Sequence, residues 1–276
     1  MKKLLFLAAI CSVLMACSSS SKEEPVAKEK VTFTVSNFTS TTQPMSAPRK
    51  AVSSLSDEDG AMTDLYLFDG STQIAHQVST DENFGTITVM LTAGSHTLHF
   101  VATRSTGFAY EGGVLTATSL RNTFGKTITI NVSGSSDETV EMNRLSGKLV
   151  ITINDAIPAG AANLRIQVGN IYKNLDIQTL YGVSPAAFDQ TVSLSNKVGL
   201  TSQTWTLTTL APDEDGYETT FTLTATNGSG AVIGQATGTV TLAPNTKTLL
   251  SGNLFTGTRS FVSLNTAWNA DINANF

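Results

Sequence analysis

Residues 126–132 read Lys-Thr-Ile-Thr-Ile-Asn-Val, with polar and apolar side chains in alternation. Successive side chains of an extended strand point to opposite faces, so this period of two predicts a strand with one buried face. Nearby, residues 86–91 and 95–102 flank Ala93-Gly94, which indicates a β-hairpin. Short strands separated by turn residues predict an all-β fold of the β-sandwich type rather than a parallel sheet.

The strand-like segments form two consecutive sets along the chain. The first set lies before Arg144, and the second begins with the apolar segment Leu149–Ile153. Each set covers about 110 to 130 residues, the size of one ordinary domain. We therefore predict an N-terminal β-sandwich over residues 31–143 and a C-terminal β-sandwich over residues 144–276. Only residues 117–124 are compatible with a short helix.

The C-terminal segment, residues 262–276, alternates over an unusual length, interrupted only at Thr266 and Ala267. Its apolar residues all have even numbers: Val262, Leu264, Trp268, Ala270, Ile272, Ala274 and Phe276. The pattern predicts an extended chain with one buried face. At ~3.3 Å per residue it would span ~50 Å, so either it bends into two strands or part of it leaves its own domain. It is either the closing strand of the second sandwich, which the pattern alone favours, or a strand donated to another subunit.

The N-terminus has the organisation of a secretory signal peptide. Lys2 and Lys3 precede an apolar run over residues 4–15, which is shorter than the ~20 residues that a membrane-spanning helix needs. The adjoining Leu14-Met15-Ala16-Cys17 is similar to a bacterial lipobox, although Met15 stands where smaller residues are commoner. The similarity implies removal of residues 1–16 and acylation of Cys17. The alternative is an ordinary secretory signal with an incidental cysteine.

Residues 17–30 predict a lipidated tether. They are polar and charged and contain Pro25, a composition that cannot bury a core. Within them, Ser21-Lys22-Glu23-Glu24 resembles the signal that sends some Bacteroidetes lipoproteins to the outer cell surface, although a solvated linker explains it equally well. We therefore expect a protein held at the cell outer membrane through lipid and exposed on the surface.

Charge and cysteine content exclude several classes of protein. The formal net charge is −5 and no basic cluster follows the signal peptide, which argues against a nucleic-acid partner. Of the 2 cysteines, Cys11 lies in the signal peptide and Cys17 is the lipid site, so no disulfide is expected. About 245 residues remain after the tether, and their stability must come from apolar packing.

The histidines and acidic segments of the sequence do not match catalytic or metal-binding motifs. His96 and His99 are three apart in a predicted strand and face opposite sides, which is poor geometry for a shared metal. The acidic segments 57–60 and 213–216 lack the spacing of calcium loops and are better explained as solvated turns. We therefore expect no enzyme activity, no cofactor and no bound metal.

Several segments appear in an order that resembles a known family. They are Val31–Val35, Thr63–Asp69, Leu91–Thr97, Arg144–Leu149, Leu242–Asn245 and Gly252–Phe255. Together with the lipobox-like segment they resemble the fimbrillin superfamily of Bacteroidales, most closely its FimB-type fimbrial anchor lipoproteins. The resemblance implies two transthyretin-like β-sandwich domains in a fimbrium, or pilus, on the outer membrane. It also implies that subunits join by strand exchange, with residues 262–276 as the candidate donor strand.

The resemblance leaves the position in the fimbrium open. Shaft pilins of the superfamily are cut after an arginine behind the first strand, and Arg49 stands in such a loop. An uncut chain would keep its first strand and its lipid, as an anchor requires. Cleavage after Arg49 would instead make a shaft or tip pilin. An alternative of another class is a surface ligand- or glycan-binding lipoprotein.

Overall fold

The structure, a computed structural model, describes residues 27–36, 56–57, 60–257 and 261–267. All the regular secondary structure within these ranges is β-strand, which confirms the all-β prediction. The strands are β1 (Lys28–Ser36), β2 (Ser56–Asp57), β3 (Gly60–Ala61), β4 (Asp64–Asp69), β5 (Thr72–Val78), β6 (Thr86–Thr92), β7 (Gly94–Thr103), β8 (Ala109–Glu111), β9 (Val114–Thr116), β10 (Thr123–Val132), β11 (Ser136–Glu141), β12 (Asn143–Arg144), β13 (Gly147–Ile153), β14 (Ala161–Ile171), β15 (Asn174–Asp176), β16 (Gly182–Val183), β17 (Ala186–Ser193), β18 (Gln203–Thr209), β19 (Tyr217–Asn227), β20 (Val232–Leu242), β21 (Thr246–Gly252) and β22 (Phe261–Ala267). Among the described residues no helix is long and apolar enough to cross a membrane.

The prediction of a short helix over residues 117–124 is wrong. Its backbone bonds across to a neighbouring segment instead of along itself: Arg104 N–H donates to the carbonyl of Asn122 at 3.2 Å, and Ser119 and Thr106 form an isolated β-bridge. At Thr123 the chain enters β10. A helix must satisfy its backbone groups internally, and here the cross-chain partners take them.

The strands β1, β4 to β7 and β10 to β12 form two facing sheets. The smaller sheet has the order β11-β1-β6 and the larger has the order β12-β10-β7-β4-β5. Buried side chains of both sheets meet in one apolar core, where the rings of Phe33 on β1 and Phe100 on β7 pack edge to face at 5.2 Å. This arrangement is a β-sandwich, as the alternating sequence predicts.

Residues 147–267 form a second pair of sheets with the orders β18-β13-β21-β22 and β17-β14-β19-β20. Their core includes Leu149 and Ile151 of β13, Leu164 of β14 and Leu223 of β19. The two pairs of sheets have the same topology. In each, the first strand (β1 or β13) lies between an antiparallel neighbour (β6 or β18) and a parallel one (β11 or β21). Two strands differ: β12 extends the larger sheet of the first pair next to β10, and β22 extends the second pair next to β21, where no described strand lies at the matching edge of β11.

A joint sheet connects the two halves. Its order is β16-β15-β9-β8, with β8 and β9 from the first half and β15 and β16 from the second. A separate apolar cluster at this junction combines Tyr66 and Phe68 with Leu115 and Leu175. It explains why β4 is continuously apolar from Leu65 to Phe68, because that part of the strand is buried on both faces. The domain division at residues 143 and 144 stays a prediction.

Candidate functional site

The described part of the predicted donor segment is β22, which forms the edge of its sheet in the described chain. It pairs antiparallel with β21, from Phe261 opposite Gly252 to Ala267 opposite Thr246. Ser263 and Asn265 stand opposite Leu250 and Thr248, which are buried on the inner face of the sheet. Opposed residues share a face, so the polar side of β22 faces inward, and Thr248 Oγ1 donates to Asn265 Oδ1 at 3.0 Å.

The apolar side of β22 therefore faces outward. Val262 is 70% exposed and Leu264 is 60% exposed, although the pattern predicts that even-numbered residues are buried. Of the described residues of β22, Phe261 packs against the core, where its ring lies 6.2 Å from that of Phe221. The chain thus closes its own sheet with β22 but leaves the predicted apolar face uncovered by the described residues. The remaining predicted donor residues lie outside the described ranges: Trp268, Ala270, Ile272, Ala274 and Phe276.

A single carboxylate sets the turn before β22. Asp155 accepts hydrogen bonds from the backbone N–H groups of Leu254 at 3.0 Å, Phe255 at 2.7 Å and Thr256 at 2.8 Å. Burial by itself would raise the pKa of Asp155, but these donors and the Thr256 hydroxyl favour the charged form and hold the pKa below its usual value. Asp155 follows β13, so this contact joins two distant parts of the chain. No sequence pattern marks this contact, because a lone aspartate in a loop belongs to no motif or periodicity.

The first strand is the other element relevant to strand exchange. β1 lies in the middle of its sheet, antiparallel to β6 and parallel to β11. Val31, Phe33 and Val35 of β1 are buried against the opposite sheet. Without β1, the strands β6 and β11 would be left on either side of an apolar groove. Arg49, the candidate cleavage site, lies outside the described residues, as does the lipid-site candidate Cys17.

The histidines have separate partners. His76 Nε2 bonds Asp64 at 2.9 Å, His96 Nδ1 bonds Asp69 at 2.6 Å, and His99 Nδ1 lies 2.9 Å from the Thr127 hydroxyl. Within the described ranges no group of three or more potential ligands from His, Cys, Asp and Glu comes together to hold a metal. These histidines therefore act as local hydrogen-bonding groups of the first sandwich.

The acidic turn at residues 213–216 is satisfied within itself. Asp213 Oδ1 accepts the N–H groups of Asp215 and Gly216, each at 3.0 Å. This bonding is typical of an Asx turn and explains the aspartate without a bound cation.

Comparison with known proteins finds similarity in structure but not in sequence. No protein-family model matches the chain, and no curated protein matches it in sequence. Among solved structures, an adhesin candidate from Bacteroides ovatus aligns with a TM-score of 0.50 at 8% identity, over 87% of this chain and 88% of that one. A cell adhesion protein candidate from Bacteroides eggerthii aligns with a TM-score of 0.48 at 12% identity, over 89% and 97% of the two chains.

The fimbrial anchor protein Mfa2 from Porphyromonas gingivalis aligns with a TM-score of 0.48 at 13% identity, over 88% of this chain and 98% of that one. By their descriptions, these structures are two cell-adhesion candidates and one fimbrial anchor protein. At these identities the similarity to the Bacteroides ovatus protein shows a shared fold.

Proposed function

We propose that this chain is a structural lipoprotein subunit of an outer-membrane fimbrium, and that it is the anchor that fixes the fimbrium to the cell surface. It would join the next subunit by β-strand exchange. The observation that carries the proposal is the reversed orientation of β22, whose apolar side chains face outward from their own sheet. Strand addition uses main-chain hydrogen bonds for affinity and alternate side chains for specificity.

The outward face of β22 supports the donor role on energetic grounds. Burying a valine or leucine side chain contributes about 1.5–3 kcal/mol, and Val262 and Leu264 gain little of this in the isolated chain. The even-numbered apolar residues continue from Trp268 to Phe276. A groove in a neighbouring subunit that accepted this segment would bury a continuous apolar stripe.

The position of β1 supports an anchor rather than a shaft subunit. With β1 in place, the groove of the first sandwich is filled by Val31, Phe33 and Val35, so no other strand can enter there. A chain that keeps β1 also keeps Cys17, its candidate lipid site. Such a chain can donate a strand and remain tied to the membrane, which is what the first subunit of a fimbrium needs.

Cleavage after Arg49 is the alternative, and the central place of β1 favours it as a mechanism for opening a groove. It would remove residues 17–49, and with them both β1 and the candidate lipid site. The protein would then be a shaft or tip pilin that accepts a strand as well as donating one.

The intact mass of the mature protein from the outer membrane of its native host separates these proposals. A chain that starts at acylated Cys17 supports the anchor. A chain that starts at Lys50 without lipid overturns it in favour of a shaft or tip subunit. A Cys17→Ala variant should be released from the membrane while it remains folded.

A further inference from the structure

A polar pocket lies at the junction of the two halves. Its cavity of about 180 Å³ is lined by Arg104, Arg121, Asn122, Lys148, Thr206 and Thr208. Three of these residues are cationic at neutral pH, and none is acidic. We call this cavity the junction pocket. A concentration of positive charge is notable in a chain whose net charge is −5.

The first half holds its two arginines on an ordered backbone. Arg121 N–H donates to the Ser105 hydroxyl at 2.8 Å, next to the bond from Arg104 to Asn122. The Ser105 hydroxyl in turn accepts from the buried Thr103 hydroxyl at 2.8 Å. Because these hydrogen bonds join residues 104–105 to the backbone of residues 121–122, the two chain segments that carry the arginines are held side by side.

The second half supplies the opposite wall. Lys148 of β13 stands directly across from Thr208 of β18, and Thr206 follows on the same face of β18, since side chains two apart in a strand share a face. This wall adds one ammonium group and two hydroxyl groups. The pocket therefore presents donors from both halves towards one small space.

The two arginines of the junction pocket have no acidic partner among the described residues. In the part of the chain that the structure describes, neither Arg104 nor Arg121 forms an ion pair with a carboxylate. Like charges held close together repel each other, and an anion between them would remove that cost. A guanidinium group offers a planar fork that matches the oxygens of carboxylate, sulfate and phosphate groups.

We propose that the junction pocket binds an oxyanion: a carboxylate, sulfate or phosphate group, either free or carried on a sugar. Arg104 and Arg121 bind the anionic oxygens, and Thr206 and Thr208 donate hydroxyl hydrogen bonds. Ligand pockets for larger molecules are usually about 300–1,000 Å³, so this one accepts a single charged group or a single sugar residue. The bound anion contacts both halves and therefore stabilises their association. This inference is independent of the role in a fimbrium.

Isothermal titration of the purified full chain tests the proposal. The probes are sodium sulfate, sodium phosphate, D-glucuronate and the neutral sugar glucose, in chloride buffer of matched ionic strength. We expect the anionic probes to bind and glucose not to bind. Each of Arg104→Gln and Arg121→Gln should weaken binding about tenfold, because a hydrogen bond to a charged group contributes about 1.5–3 kcal/mol.

Matched variants exclude a general effect of charge. Lys28→Gln/Lys30→Gln removes the same charge as Arg104→Gln/Arg121→Gln, but from exposed residues of β1, and it should bind the probes like the unmodified chain. Binding of sulfate or phosphate without glucuronate would assign the pocket to a free inorganic anion. Binding of glucuronate as well would assign it to anionic sugars. Absence of binding, equal binding of glucose, or full binding by the double arginine variant would overturn the proposal.

Discussion

Leu249 on β21 and Leu264 on β22 lie directly opposite each other, and both side chains belong to the outer face of their sheet. The pairing reverses the orientation that the alternating sequence predicts for β22. A shift of one residue in register would exchange the two faces of β22. The hydrogen bond between Thr248 and Asn265 therefore helps to hold the observed register. Leu264, exposed on the outer face of the edge strand, is therefore available to a partner.

Val262→Asp is expected to prevent fimbrial assembly without unfolding the subunit. The side chain is 70% exposed, so the free energy of unfolding should change by no more than about 0.5 kcal/mol. A buried charge in the complex would strongly oppose strand addition. Thermal unfolding of the subunit and electron microscopy of cells measure the two effects.

Val232→Asp is the control for Val262→Asp, because Val232 is 58% exposed on β20, an edge strand of the other sheet. It should leave fimbriae unchanged. Normal fimbriae in the Val262→Asp strain would count against β22 as the donor. Trp268→Asp extends the same test to the segment beyond β22 and should also abolish assembly.

Asp155→Asn should destabilise the second half by about 1–3 kcal/mol, since it replaces a charged acceptor of backbone hydrogen bonds with an amide. The lowered pKa of Asp155 means that its contribution is present above the usual value of 3.8 and is lost as the pH falls through the folded-state pKa. Urea denaturation should therefore show a difference between wild type and variant that shrinks in acid. A difference that is the same at neutral and acidic pH would show that the charge is not responsible.

Phe33→Ala should destabilise a chain that retains β1 by about 3–5 kcal/mol, because it leaves a cavity against Phe100 in the first core. The measurement is denaturant unfolding of the mature protein isolated from the outer membrane. If the chain is cut after Arg49, Phe33 is absent from the mature protein and the variant will unfold like the wild type. This experiment therefore also reports on cleavage.

His96→Gln should reduce stability more in acid than in alkali. Both ring nitrogens of His96 face acceptors, the Asp69 carboxylate at 2.6 Å and the Thr92 carbonyl at 2.9 Å, an arrangement that suits the imidazolium form. The bond to Asp69 raises the pKa of His96 despite partial burial. Its contribution is thus complete below the usual value of 6.5 and is lost as the pH rises through the raised folded-state pKa.

The comparison of unfolding free energies for His96→Gln needs two conditions, about pH 5.5 and about pH 9. Burial lowers the pKa of His99, so His99 makes the folded protein less stable in acid. His99 is present in both the variant and the wild type, so its effect cancels in the difference between their unfolding free energies. A larger difference at the alkaline pH would contradict the prediction.

Leu115→Ala tests whether the joint sheet makes the two halves unfold together. Leu115 of β9 pairs with Leu175 of β15, and both side chains are fully buried. We expect a single calorimetric transition for the wild type and a loss of about 2–5 kcal/mol in the variant, with separation into two transitions. Leu149→Ala, within the second core alone, should lower stability to a similar extent without affecting the coupling at the junction.

The sequence predicts local structure well where one strand has one buried face. Residues 126–132 alternate because β10 covers a core on one side, and that strand is confirmed. Prediction was wrong where a segment bonds to a distant one, as at residues 117–122, and where successive strands enter different sheets, as β6 and β7 do instead of forming the predicted hairpin. In those places the residues respond to neighbours that are remote in sequence.

The amino-acid sequence by itself determined the all-β class, the alternation of the terminal segment and the lack of cysteines after position 17. These features depend on residue type and on spacing along the chain. Only the tertiary structure decided which face of β22 points outward, that the two halves share a sheet, and that Arg104 and Arg121 meet Lys148 in one pocket. Strand register, sheet order and the meeting of distant loops are set by long-range pairing, which no local periodicity records.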